Sequence, residues 1–239
     1  VNAGASFAVL VGISFFSIQS MTGYLAFAFA GALITTAIVY LIGASGSGQI
    51  NPLKLTLAGV AIGALLVGIS SGLTLIDPET YDKMRFWNAG SLDIRNIDIA
   101  ILIGPIILLG LVIALLLAKP LNALSLGQDL GATLGINIKF TLFWAIIAIT
   151  LLSGTATAAT GPIGFIGLMI PHMARWLVGP NQGRIIVFSI IFAPALLLFS
   201  DVIGRVLVTG ELRVSIVTAF IGAPVLIWLA RQNRSYHQL

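Results

Sequence analysis

Charge is what this chain has least of. No charged side chain occurs before Lys54, and Asp, Glu, Lys and Arg together make up 8% of its 239 residues. A soluble domain carries about 25%, so no water-soluble fold fits. Cysteine is absent, which removes disulfides, thiolate metal sites and cysteine nucleophiles. No Ser–His–Asp set or catalytic pair of carboxylates is evident. The glycine-rich stretch Gly43–Gly48 lacks the Lys-Ser/Thr of a phosphate loop, so hydrolysis of ATP by that route is excluded. Val1–Ser17 has no basic leading region and no clear cleavage site, and does not read as a signal peptide.

What is present is apolar sequence: 58% hydrophobic residues and a mean hydropathy of +1.08. About 20 apolar residues are needed to cross the hydrocarbon core as a helix. The runs are continuous rather than alternating, which favours helices over a barrel. Eight spans are predicted: Val1–Ser17, Thr22–Ile42, Leu53–Leu73, Ile97–Leu117, Phe140–Ala158, Ile163–Val178, Ile185–Leu207 and Val214–Ala230. The expected fold is all-α, a polytopic transmembrane helical bundle forming one domain over residues 1–239.

Grouping the loops alternately separates the charges. One side carries Lys54, Lys119, Lys139, Arg175, Arg184, Arg231 and Arg234, with Asp129 as its only acid. The other has the long loop Leu75–Asp98, with Asp77, Glu79, Asp82, Asp93 and Asp98 against Lys83, Arg85 and Arg95, and the short Thr209–Arg213 turn. The positive-inside rule makes the first side cytoplasmic. An even helix count then places both ends of the chain there. Basic residues beside membrane spans, rather than in one patch, do not point to nucleic acid.

Gly59, Gly63, Gly68 and Gly72 run along the third span. Small side chains let helix backbones approach closely, and they also leave room for a bulky solute. Pro162, Pro171, Pro194 and Pro224 interrupt the later spans. Asp201 and Arg205 are four apart on one helix face, a spacing that lets an intramembrane pair neutralise itself. His172 has no second ligand at metal spacing and reads as a satisfied structural histidine. No metal site is expected. Lys119–Lys139 lies on the cytoplasmic side, where Leu121, Leu124, Ala132 and Leu134 can form the apolar faces of two short helices broken near Gly127. Such helices outside the membrane seek a partner surface or the lipid interface, and the pattern favours a partner-docking elbow.

At these residues a family resemblance emerges. Leu121-Asn122-Ala123-Leu124-Ser125-Leu126-Gly127 through Ala132-Thr133-Leu134-Gly135 resembles the coupling-helix loop of the iron–siderophore and vitamin B12 permeases, the membrane subunits of type II ABC importers. Gly161-Pro-Ile-Gly-Phe-Ile-Gly-Leu-Met-Ile-Pro-His-Met-Ala-Arg175 resembles that family's most characteristic motif. Glu211-Leu-Arg-Val and Gly222-Ala-Pro-Val-Leu-Ile-Trp228 resemble the start and middle of its last helix, and the likeness runs the whole chain. Phe86-Trp-Asn-Ala-Gly-Ser-Leu-Asp93 and Pro171-His-Met-Ala-Arg-Trp-Leu-Val-Gly179 look most like the ferric-enterobactin branch.

The resemblance implies a transport subunit of a bacterial inner membrane, not an enzyme. It implies ten helices per subunit, so the first two would be missing from these eight spans. Two subunits, identical or sister, would form a central path for a ferric siderophore, catecholate by the branch. An ATPase would bind each cytoplasmic loop, and a periplasmic or lipoprotein substrate-binding protein would dock outside. ATP and Mg would sit on the ATPase, with no cofactor in this chain. By position, Leu121, Ala123, Leu124, Leu126, Gly127, Asp129, Ala132, Leu134 and Gly135 correspond to the ATPase-coupling loop. Arg205 corresponds to an arginine that pairs with a glutamate of the binding protein, and Gly59, Gly63, Gly68 and Gly72 lie on a path-lining helix. Two other readings remain: a haem or cobalamin permease, and an ion-coupled secondary transporter using Asp201 as its intramembrane carboxylate.

Overall fold

Apolar runs that cannot hydrogen-bond to lipid fold as helices. The computed structural model of the chain describes residues 1–45, 52–92, 97–207 and 212–232, and these are helical apart from turns and short links. In chain order the helices are α1 (Asn2–Phe16), α2 (Met21–Ala44), α3 (Pro52–Ile76), α4 (Pro78–Asn88), α5 (Ile97–Leu116), α6 (Ala118–Leu124), α7 (Gln128–Thr133) and α8 (Ile138–Ile149). A π-helical turn (Thr150–Gly154) then leads into α9 (Thr155–Thr160), followed by α10 (Ile166–Val178), α11 (Gln182–Leu207) and α12 (Val214–Gln232). Gly46–Gly48, Asp93, Arg95, Thr209–Glu211 and Arg234, all used in the sequence reading, lie outside the described residues.

Among the described residues, five helices are long and apolar enough to cross a membrane: α2, α3, α5, the composite run Ile138–Thr160 and α11. The chain is a multi-pass membrane protein. The other three expected spans are shorter apolar helices, Asn2–Phe16, Ile166–Val178 and Val214–Trp228. Local backbone explains two of them. Ser17, in the left-handed region at φ 51°, ends α1, and α10 is bounded by Phe165 at φ 68° and Gly179 at φ 80°.

The chain divides into two compact units, the first comprising Val1–Asn88, Ile94–Leu111 and Ile146–Pro162. Its core joins Ala5, Val9, Leu10 and Ile13 of α1 to Leu25, Ala28 and Ala32 of α2, with Ala158 and Ala159 of α9. The α1–α2 crossing is a backbone contact. A Cβ on Gly31 would collide with the Gly4 carbonyl oxygen and the Ala8 methyl, and one on Gly4 would collide with Thr35. Lipid tails are as apolar as leucine, so van der Waals fit of this kind, rather than expulsion of water, holds such helices together. Thr157 Oγ1 donates to Asn2 Oδ1 at 2.9 Å and fastens α9 to the start of α1. The π turn packs Leu152 onto α5, where a Cβ on Gly110 would sit 2.8 Å from Leu152 Cγ.

The expected loop Leu75–Asp98 contains the helix α4. Asp77 starts it: its carboxylate accepts from the Glu79 N–H at 3.0 Å and the Thr80 hydroxyl at 2.5 Å, with Pro78 at the first helical position. These donors, the Thr80 hydroxyl foremost, hold the Asp77 carboxyl below its ordinary value. Lys83 Nζ reaches Glu79 at 2.7 Å one turn away, and Met84 is buried in the core. Of the charges in this expected loop, Glu79, Asp82, Lys83 and Arg85 thus lie on a short amphipathic helix.

The second unit comprises Ala89–Asp93, Val112–Ala145 and Ile163–Leu239. Its core is Ile170 and Ala174 of α10 against Ile185 and Phe188 of α11. The rings of Phe188 and Phe192 stack 4.0 Å apart, and Trp176 meets Trp228 edge-on at 6.0 Å. Phe165 packs into the space left by Gly222, where a Cβ would lie 2.6 Å from Phe165 Cβ. Ser215 Oγ donates to the Ala89 carbonyl, tying the first turn of α12 to the segment that follows α4.

Candidate functional site

The elbow begins where α5 ends. The Leu117 N–H bonds to Ile113 O at 3.0 Å and the Leu121 N–H to Leu117 O at 2.9 Å, so the chain turns into α6 with little break in its hydrogen-bond ladder. Pro120 falls in the first turn of α6, where its missing N–H leaves no gap. Gly127, at φ 113°, separates α6 from α7, at the break expected from the sequence. Gly131 lets the two helices touch, since a Cβ there would lie 3.0 Å from Leu124 Cδ2.

Gly135, at φ 79°, ends α7. The Ile136 N–H reaches back to Gly131 O at 3.1 Å and the Gly135 N–H to Ala132 O at 2.9 Å, the paired bonds of a Schellman close. Asn137 then opens α8 by accepting from the Phe140 N–H at 3.1 Å. Among the described residues, no atom beyond the adjoining backbone lies within 4 Å of the Cβ position at Gly135, so backbone conformation is what disfavours larger residues. An L side chain in the left-handed region costs about 1–2 kcal/mol. Gly135→Ala should therefore speed hydrogen exchange at the Ile136 amide by about tenfold as the close loosens. An unchanged exchange rate would show that the close does not need glycine.

The elbow's side chains divide into two sets. Leu121, Ala123 and Leu124 are half-buried within the unit, whereas Leu126, Leu130 and Leu134 are 63%, 56% and 63% exposed. Asp129 and Ala132 are exposed beside them. Leu130, not among the residues expected from the sequence, joins this exposed face, and its i,i+4 spacing to Leu134 is the signal that marks it.

The candidate docking residue lies near the C-terminal end of α11. Arg205 Nε donates to Asp201 Oδ2 at 2.8 Å, so the i,i+4 pair closes. Along α3, among the described residues, no atom outside the helix's own backbone and the adjoining residues lies within 4 Å of the Cβ position at Gly63, Gly68 or Gly72, and at Gly59 Val39 lies at 4.0 Å. Among the described residues no helix packs tightly on these glycines; the close backbone contact is at Gly4 and Gly31. His172 and Arg175 are exposed on α10, so His172 is not a core histidine. Pro171, Pro194 and Pro224 fall inside helices, while Pro162 lies in the link between α9 and α10.

Comparison with known proteins places this arrangement. The model of the FecCD transport family matches residues 1–232. The chain belongs to the FecCD transport family. This FecCD chain is 53% identical over 234 residues to the ferric enterobactin transport system permease protein FepD of Escherichia coli, covering 98% of this chain and 70% of that protein. It is 35% identical over the same shares to the probable siderophore transport system permease protein YfiZ of Bacillus subtilis. Among solved structures it is similar to a metal-chelate type ABC transporter in an inward-facing conformation, with TM-score 0.85, 30% identity and coverage of 97% of this chain and 73% of that one. As a FecCD permease, the chain is a transport subunit and not an enzyme.

Proposed function

We propose that this permease carries a ferric catecholate siderophore across the bacterial inner membrane as part of an ATP-driven importer. The observation that carries the substrate is the 53% identity to a ferric enterobactin permease across 98% of the chain. In this reading a loaded periplasmic or lipoprotein binding protein docks outside, with Arg205 among its contacts. Two ATPase subunits hold ATP and Mg and bind the elbow through Leu121, Ala123, Leu124, Leu126, Gly127, Asp129, Ala132, Leu134 and Gly135. A second permease subunit, identical or sister, completes the path, and the open side of α3 at Gly59, Gly63, Gly68 and Gly72 faces it. The basic loops and both ends of the chain lie in the cytoplasm.

The chemistry of the path supports an ATP-driven cycle over ion coupling. An ion-coupled carrier needs a carboxylate free to take up and release its ion, and the Asp201 carboxylate is engaged by Arg205. Rigid-body rocking of the two permease subunits then alternates access, with no need for a titrating carboxylate in the membrane.

Uptake of radio-iron-labelled ferric catecholate by liposomes holding the permease, its ATPase and its binding protein tests the reading. Uptake should require ATP and the binding protein and should survive collapse of the proton gradient. Ferric citrate and haem should compete poorly. Uptake that follows the proton gradient and ignores ATP would establish the ion-coupled alternative.

A further inference from the structure

The elbow is attached to α11 by a hydrogen bond that spans 60 residues of sequence. Asn122 Oδ1, on α6, accepts from the backbone N–H of Gln182, the first residue of α11, at 2.7 Å. The opening N–H groups of a helix have no partner within it. Asn181 satisfies one of them locally, accepting from the Arg184 N–H at 3.2 Å. Asn122 satisfies another from outside, so α6 acts as part of the cap of α11.

Small residues bring the two helices together. Ala118 of α6 is buried, and a Cβ on Gly183 would lie 3.6 Å from the Ala118 methyl. Ser125 Oγ donates to the Asn122 carbonyl at 2.6 Å, fixing the backbone that carries the amide. From this joint α11 runs 26 residues, about 39 Å at 1.5 Å per residue. Near its far end lies the Asp201–Arg205 pair.

We propose that Asn122 is a positioning residue that couples the elbow to α11, so that displacement of the elbow by the ATPase moves this helix and the ion pair it carries. The inference rests on the proposed importer function. Without the bond, part of the elbow's displacement would be spent in swinging α6 against α11, and ATP would be hydrolysed with less substrate moved.

The test uses the assembled importer in liposomes and reads substrate transported per ATP hydrolysed. Asn122→Leu keeps size and removes the acceptor. Gln182→Pro removes the donor from the other partner, at the one helical position where proline is favoured, and leaves the elbow's surface intact. Each should lower the ratio by about fivefold, the loss expected of one hydrogen bond. Gln182→Ala retains the N–H, and Asn122→Asp retains the acceptor beside a helix N-terminus that favours negative charge; both should keep the unaltered ratio. A normal ratio in Gln182→Pro overturns the strut, as does an Asn122→Asp variant as uncoupled as Asn122→Leu. If Asn122→Leu fails to assemble, Gln182→Pro decides alone. Loss of ATP-dependent transport in the unaltered importer would instead overturn the function on which the strut rests.

Discussion

Replacing Leu126, Leu130 and Leu134 together with glutamate should leave the permease folded and strip it of its ATPase. The three side chains stand 63%, 56% and 63% exposed, so the fold draws little from them. A docked partner would draw a great deal. Burying a leucine fully stabilises by about 1.5–3 kcal/mol, and roughly half of that remains to be gained at each of these positions. Three such contacts sum to about 3 kcal/mol, or more than a hundredfold in affinity, before the cost of placing carboxylates in an apolar groove. Co-purification with the ATPase should therefore fail, and uptake should fall by at least two orders of magnitude. Circular dichroism and the thermal midpoint of the isolated permease should stay as they were. Retention of the ATPase by the triple variant would show that the elbow is not its seat.

The second large effect belongs to the crossing of α1 and α2. Gly31→Leu puts a side chain where the Gly4 carbonyl and the Ala8 methyl already are. One helix has to withdraw, and the fully buried Ala5, Val9, Leu10, Ala28 and Ala32 lose their fit with it. Overpacking of a tight core costs about 1–3 kcal/mol. This contact is backbone on backbone, with no flexible chain end to give way, so the upper end or beyond is expected. Little Gly31→Leu protein should survive extraction, as read by monodispersity in detergent. Gly63→Leu is the matched control, because among the described residues no other element lies within 4 Å of its Cβ position. It should extract normally and, if α3 borders the substrate path, transport poorly. Equal behaviour of the two variants would refute the α1–α2 contact.

These two glycines also show where sequence reading ends. Apolar runs mark out helices because length and hydropathy decide what can enter a bilayer, and helix ends from Met21–Ala44 to Gln182–Leu207 fall within a few residues of those expected. Which face of a helix is buried is another matter. Lipid and protein interior are equally apolar, so α1 and α2 are hydrophobic all round, and nothing distinguishes Gly31 from Gly63. The elbow is more legible, because the positive φ at Gly127 and Gly135 calls for glycine in any surroundings. The α4 helix was hidden by its charges, although Asp77-Pro78 is a recognisable start. The Asn122–Gln182 bond joins residues 60 apart, and no local pattern encodes it.

The π turn at Thr150–Gly154 has a consequence for how this chain can drift over evolutionary time. Such a turn holds one residue more than the α turn it replaces. A single deletion elsewhere in Ile138–Thr160 would rotate one part of that helix by about 100° relative to the other and turn its packed side outward. Within the wide turn, the same deletion draws the backbone into ordinary α geometry and leaves both flanking faces where they are. Descendants one residue shorter at this place would keep the contacts of Thr157 with Asn2 and of Leu152's neighbours with α5, so a one-residue gap here marks tolerated length change rather than a different architecture.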